Sequence, residues 1–286
     1  MNILEGVIDL HIHTAPDVRA RKMDDLAIME AAVKNKVRAV VIKSHHLPTT
    51  ARAYIVNEVR RAKYPDSNFE MFGGLAMNRF TGGINPYTVE TALKLGAKII
   101  WLPTLTAENH ISKQGNKSNI PPVKVVEGGK IVPELADVFR LVKDFDAVLE
   151  TGHISPEECF IVTEAARSLG VRKIVITHPE FWIVGMTLDE QARIIRDYGV
   201  LLEHEYAQPT PEKVYIKNLA VNAEAMKAIG PEHFIVSTDS GQTQNPYWYE
   251  SLSEYITYLK DSGFTQSEID TMTKINPAKM LRIEGA

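Results

Sequence analysis

Cysteine is nearly absent: Cys159 stands alone in 286 residues, which excludes an intrachain disulfide and fits a reducing compartment. Long apolar runs are missing too. None approaches the roughly eighteen residues that a membrane-crossing helix needs, so no membrane partner is expected. The opening MNILEGVIDL has no basic segment before its apolar run, and Glu5 lies inside that run; no secretory leader is expected, and the expected location is cytoplasmic. Charge of one sign is also lacking. The 32 basic and 36 acidic side chains leave a formal net charge of −4, spread evenly along the chain, which argues against nucleic acid as a partner. No glycine-rich loop occurs between a strand and a helix, so a nucleotide-dependent transferase ranks low. A small-molecule substrate is the partner these absences leave, and a homo-oligomer stays open.

What is present is a rhythm of short apolar runs and amphipathic segments. At 44% hydrophobic residues the chain can bury a sizeable core. Strands are expected at 7–13, 38–43, 69–75, 97–104, 146–151, 173–177, 199–205 and 233–238. Helices are expected at 24–36, 49–62, 86–95, 133–143, 155–169, 187–198 and 211–229. Ser155, Pro156 and Glu158 supply a helix start, with an N-cap hydroxyl, a first-turn proline and a capping-box acid. Eight strands alternating with helices over about 240 residues predict an α/β fold, a (β/α)8 TIM barrel in one domain spanning 1–286. A doubly wound open sheet has the same element order and is the competitor. The stretch 105–129, after the fourth strand, is the longest irregular connection and is expected to act as a lid. Helices at 265–283 close the chain.

Nine histidines are unevenly placed along this rhythm. In GVIDLHIHTAPD, residues 6–17, His11 and His13 lie one residue apart at a strand end, and the period of two puts both imidazoles on one side. His153 follows the fifth strand in AVLETGHIS, His178 ends the sixth in IVITHPE, and Asp239 ends the eighth in FIVSTDSGQ. A parallel barrel carries its chemistry at the C-terminal ends of its strands. Four imidazoles and a carboxylate on that rim are the ligand chemistry of zinc, with manganese, nickel or iron as chemical alternatives.

Other polar residues fall on the same rim. Lys43, His45 and His46 in VVIKSHH, with Arg79 in AMNRF, form a basic set suited to capturing a carboxylate or phosphate. His110 and Lys113 in the long loop are further candidates for substrate contact. In LLEHEY, strand alternation sends His204 and Tyr206 to one side and Glu203 and Glu205 to the other. A histidine with a phenol would orient a substrate, and a glutamate could act as an acid. Which pair faces inward is open at this point.

The HIH at 11–13, the late-strand histidines at 153 and 178, the strand-eight aspartate at 239 and the ending TMTKINPAKMLRI together resemble the amidohydrolase superfamily of metal-dependent barrel enzymes. The resemblance runs over nearly the whole chain and is specific for superfamily, not for substrate. It implies that His11 and His13 bind the more buried metal and that Asp239 completes that site while handling the proton of the attacking water. His153 would be a further ligand, and His178 either a ligand of a second metal or a group that polarises the substrate. Two-metal members usually take a bridging lysine or glutamate from strand four. Here KIIWLPT offers none at its mouth, which favours one ion; Lys43 is the alternative bridge and would restore two. The implied activity is hydrolysis of a small, anionic amide, lactone or other ester-type substrate. A one-metal decarboxylase is the main alternative, a phosphoesterase ranks lower, and a non-catalytic metal-dependent binding protein is the reading from outside enzymology.

Overall fold

A computed structural model describes residues 2–115 and 119–283. Eight strands form one sheet whose order follows the chain: β1 (Ile8–His13), β2 (Ala39–Lys43), β3 (Glu70–Ala76), β4 (Ile99–Trp101), β5 (Val148–Glu150), β6 (Ile174–Thr177), β7 (Leu201–Glu205) and β8 (Phe234–Ser237). Sequential order and parallel pairing are what a right-handed succession of βα units produces. Past the end of β8, Ile12 bridges Ser240 in parallel and the His13 amide donates to the Ser240 carbonyl at 2.7 Å. The first strand thus meets the last, and the fold is the expected (β/α)8 barrel, nearly closed.

Eleven α-helices accompany the strands among the described residues. Seven stand within one or two residues of their expected places: α1 (Asp25–Lys34), α2 (Thr50–Lys63), α3 (Pro86–Lys94), α5 (Pro133–Asp144), α6 (Pro156–Ser168), α7 (Leu188–Tyr198) and the C-terminal part of the long helix expected at 211–229, α8 (Leu219–Ile229). The capping box at Ser155 forms as read, and Thr187 makes a second with Glu190. Such caps each contribute about 1 kcal/mol by satisfying amides that the first turn leaves without partners.

Three local expectations are corrected. Residues 211–218 are not helical: Tyr215–Lys217 pair antiparallel with Ala207–Pro209, a hairpin that the run Val214, Tyr215, Ile216 favours through its β-branched and aromatic side chains. The loop after β4 contains α4 (Glu108–Gln114), and Val126–Glu127 pair with Lys130–Ile131. A helix not anticipated, α9 (Trp248–Asp261), follows β8 and buries Trp248, Leu252, Tyr255, Ile256 and Leu259 along one face. No helix among the described residues is long and apolar enough to cross a membrane.

The chain divides into two compact units, 1–44 with 49–73 and 204–286, and 45–48 with 74–203. In the first, β1 is buried along its whole length, and its register sets His13 opposite Lys43 after an irregularity between Asp9 and Ile12. The C-terminal end comprises α10 (Gln266–Asp270), a π-helical turn at Thr271–Ile275 and α11 (Asn276–Leu281). Asn276, from the asparagine-proline-alanine segment, donates from Nδ2 to the carbonyls of Glu232 at 2.9 Å and Phe234 at 2.8 Å, and so fixes the entry to β8. Asn276→Ala should cost about 1–3 kcal/mol by stranding two buried acceptors. Chemical denaturation of the variant checks this, and a midpoint unchanged from the parent would show that the two bonds carry no weight. In the second unit, β4, β5 and β6 place Ile99, Ile100, Val148, Leu149 and Val175 in a fully buried layer.

Candidate metal centre and flanking histidine cluster

The first unit gathers five ionisable side chains around the end of β1. His11 and His13 are 1% and 2% exposed, with ring centroids 5.4 Å apart. Asp239 Oδ1 lies 3.1 Å from His13 Nε2 and 3.5 Å from His11 Nε2, and one ligand atom from each of the three residues falls within 4.8 Å of the others. Glu205 Oε1 lies 2.7 Å from His11 Nδ1. A carboxylate can only accept, so Nδ1 carries the proton and Nε2 turns its lone pair toward Asp239. Lys43 Nζ approaches the same Nε2 at 3.0 Å. Burial, and then the charges of Arg21, His11 and Lys43, push the His13 imidazole well below its usual pKa, so it stays neutral and able to ligate.

Two devices build this corner. Asp9, on the same face of β1 as the histidines, is fully buried and accepts from Trp248 Nε1 at 2.8 Å, Thr238 Oγ1 at 2.7 Å and the His11 amide at 3.0 Å. It fastens β1 to the segment that carries Asp239. Asp239 itself has φ +48°, a left-handed conformation that aspartate tolerates better than most residues. The chain can turn so sharply because Gly241 follows: a Cβ there would stand 1.9 Å from the His13 carbonyl oxygen.

The donor set fits a divalent ion. Two neutral imidazoles and a carboxylate, buried and mutually within ligand distance, are the usual three protein ligands of an open catalytic zinc site. His11, His13 and Asp239 would hold the ion, with Glu205 orienting His11 from behind.

The second unit holds its own imidazole cluster. His153 and His110 stack at 4.8 Å with their Nδ1 atoms 2.7 Å apart, so one of the two donates to the other. His178 lies 4.9 Å from His153 by ring centroid, and Phe181 packs on both rings. His45 Nδ1 is 2.8 Å from Thr104 Oγ1 and its ring 6.0 Å from that of His153. Asn78, fully buried, accepts from the amides of Thr104 and Thr106 and donates to the His45 carbonyl, joining three loops. His178, like Asp239, ends its strand at positive φ, +32°.

Several residues expected to touch substrate are placed otherwise. His204 Nδ1 is 3.0 Å from Asn222 Oδ1 on α8, and Tyr206 donates to Glu254 on α9 at 2.5 Å, so both are directed into the helix layer. Strand alternation then turns Glu205 toward His11. Arg79 donates to the carbonyls of Pro121 and Pro122 and secures the loop after β4, and Lys43 is engaged on His11. His46 is half-buried with its ring 4.6 Å from Phe80. His110 lies on α4, buried against His153, and Lys113 donates to the carbonyls of Trp182 and Val184. Residues 116–118 of the expected lid lie outside the described residues.

Sequence reasoning missed Asp9, Glu205 as the partner of His11, and the tyrosine and arginines around Asp239. Tyr215 is pushed up to about 12 by burial and then by Asp239, with Arg19 and Arg21 opposing, which sets its phenol and both guanidinium groups within electrostatic reach of the site. The hairpin pattern at 214–217 was the available signal for Tyr215. None existed for the arginines, which sit in a loop of mixed composition.

A family model described as a family of unknown function, DUF6282, matches residues 6–203. No curated protein matches the sequence. Among solved structures, an amidohydrolase from Pseudomonas aeruginosa superposes with a TM-score of 0.67 at 13% identity, covering 98% of this chain and 97% of its own. An organophosphorus hydrolase from Deinococcus radiodurans gives 0.59 at 15% identity over 98% and 93%. A 2,6-dihydroxybenzoate decarboxylase, complexed with 2,6-dihydroxybenzoate, gives 0.58 at 11% over 98% and 100%. The barrel is that of the amidohydrolase-type enzymes, and the likeness read from the sequence holds at the level of the fold.

Proposed function

The chain belongs to DUF6282, a family of unknown function, and from its own residues we propose that it is a metal-dependent hydrolase of small anionic substrates bearing an amide, lactone or ester-type carbonyl. The observation that carries this reading is the buried triad of His11, His13 and Asp239, with His11 held in the ligating tautomer by Glu205. We assign the site one zinc ion, which when bound would acidify water and polarise the scissile carbonyl. Asp239 is the proton carrier: its carboxylate accepts the proton of the attacking water at Oδ and returns it to the leaving group. His13 stays neutral throughout, since burial and neighbouring cations oppose its protonation. His153 and His178 are assigned to the substrate carbonyl and to the negative charge that develops on it. His110 holds His153 in one orientation through the Nδ1 contact.

A decarboxylase is the second reading, favoured by the decarboxylase among the structural neighbours and by the strand-four mouth that offers no bridging residue. The experiment that decides is a panel of amides, lactones, esters and phosphoesters set beside aromatic and enoic acids, scored for hydrolysis and for carbon dioxide release with metal-replete protein. Hydrolysis of a carbonyl substrate is expected. Carbon dioxide release without hydrolysis would replace the proposal by the lyase reading, and turnover of phosphoesters alone would exclude the carbonyl.

A further inference from the structure

The loop after β1, residues 14–23, contains a buried ion pair that the proposed chemistry does not use. Arg21 and Asp17 stand one helical turn apart in sequence, with side chains 4% and 0% exposed. Arg21 Nε donates to Asp17 Oδ2 at 2.7 Å, and Nη2 lies 2.6 Å from the same oxygen. Asp17 Oδ1 is occupied by the Val18 amide at 2.6 Å. Arg21 Nη1 makes no hydrogen bond or ion pair among the described residues. One edge of the fork is thus spent on orientation, and the other remains available.

The backbone sets that fork beside the triad. Arg21 bridges Gln242, the Lys22 amide donates to the Gly241 carbonyl at 2.9 Å, and the His13 amide donates to Ser240. Residues 21 and 22 are therefore paired to the turn that carries Asp239. The pair is not needed to hold the loop. Arg52 already clamps it, donating to Asp25, to Thr14 Oγ1 and to the Thr14, Ala15 and Pro16 carbonyls. The Ala15 amide adds a bond to Met23 at 2.9 Å. Tyr215 comes to the same corner from the hairpin, and its raised pKa keeps the phenol a donor at every pH at which the protein would be assayed.

We propose that Arg21, oriented by Asp17, and Tyr215 form an oxyanion-recognition site beside the metal triad, reading a carboxylate or a phosphate on the part of the substrate that does not react. A guanidinium offers two parallel N–H groups to such an anion, and a buried arginine already fixed by a carboxylate loses little freedom when it binds. This deepens the hydrolase reading by naming a substrate class, and it rests on that reading for the position of the reacting carbonyl. Its test does not require turnover.

Benzoate, malonate and inorganic phosphate serve as probes, titrated calorimetrically into metal-replete protein. At least one should bind the parent. Removing Arg21 alone strands Asp17, so the informative variant is the double Asp17→Asn, Arg21→Met, checked for retained metal content and unfolding midpoint. Its affinity for the bound probe should fall at least about 10-fold, the scale of one lost charge-assisted bond. Arg21→Lys keeps the charge without the fork and should lose less for phosphate than for the carboxylates, whereas Tyr215→Phe should weaken both a few-fold. Failure of all three probes to bind the parent would overturn the proposal, as would unaltered affinity in a folded double variant. If the probes bind and the double variant loses them while the substrate panel gives no hydrolysis, the oxyanion site stands and the hydrolase reading falls.

Discussion

Protein purified without chelator should carry about one divalent ion per chain, the stoichiometry of a three-ligand site with an open position. Stripping it should lower the unfolding temperature. The expectation rests on His11, His13 and Asp239, three buried ligands that crowd within 4.8 Å of one another. Buried groups so close, with Lys43 Nζ 3.0 Å from His11 Nε2, gain from an ion that joins them. With free ion at 100 times its dissociation constant, binding contributes about 2.7 kcal/mol to stability by mass action. His13→Ala should abolish tight binding. Glu205→Gln should keep the fold while weakening metal affinity about 10–100-fold, the usual effect of losing the carboxylate that orients a ligating imidazole. Elemental analysis and thermal unfolding with and without chelator provide the measurements. Less than about 0.2 ion per chain, with no shift on adding divalent ions, would remove the metal and every role assigned around it.

Asp239→Asn should lower turnover at least about 10²-fold, because an amide cannot take up the proton that a general base must accept. Asp239 is also a ligand, so metal content must be measured on the same preparation. A variant that keeps its ion and loses kcat isolates the proton role, whereas loss of both assigns the defect to coordination. Asparagine is well matched to this position for another reason: it tolerates the left-handed backbone, φ +48°, that Asp239 adopts. Equal kcat in variant and parent would take the proton carrier away from Asp239.

The barrel was legible because its signal is repeated. Short apolar strands such as Ile174–Thr177 and helix starts such as Ser155–Pro156 recur unit after unit, and errors in one unit do not disturb the next. His11 and His13 were legible because a period of two leaves them no choice of side. The same rule failed at 203–206, where both alternating pairs are polar; only the packing of His204 on Asn222 and of Tyr206 on Glu254 decides that Glu205 turns to His11. Lys43 and Arg79 were read as anion donors from charge alone. Their partners, a histidine ring nitrogen and two proline carbonyls, are distant in sequence and invisible to a local pattern. Helix α9 carried an adequate signal in the apolar spacing of Trp248, Leu252, Tyr255 and Leu259, and this signal was passed over.

The π-helical turn at Thr271–Ile275 fixes chain length at one point. Such a turn holds one residue more than an α-helix of the same advance. Deleting that residue would restore an uninterrupted helix from Gln266 to Leu281 and would rotate everything after the cut by about 100° about the axis. Asn276 would then swing away from the carbonyls of Glu232 and Phe234, which it now reaches at 2.9 and 2.8 Å. A shorter, more regular helix is locally better and globally mismatched. Surface loops absorb insertions at a cost that grows only slowly with their length. At this turn the chain has no such slack, and a change of a single residue either way misaligns the anchor of the strand that leads to Asp239.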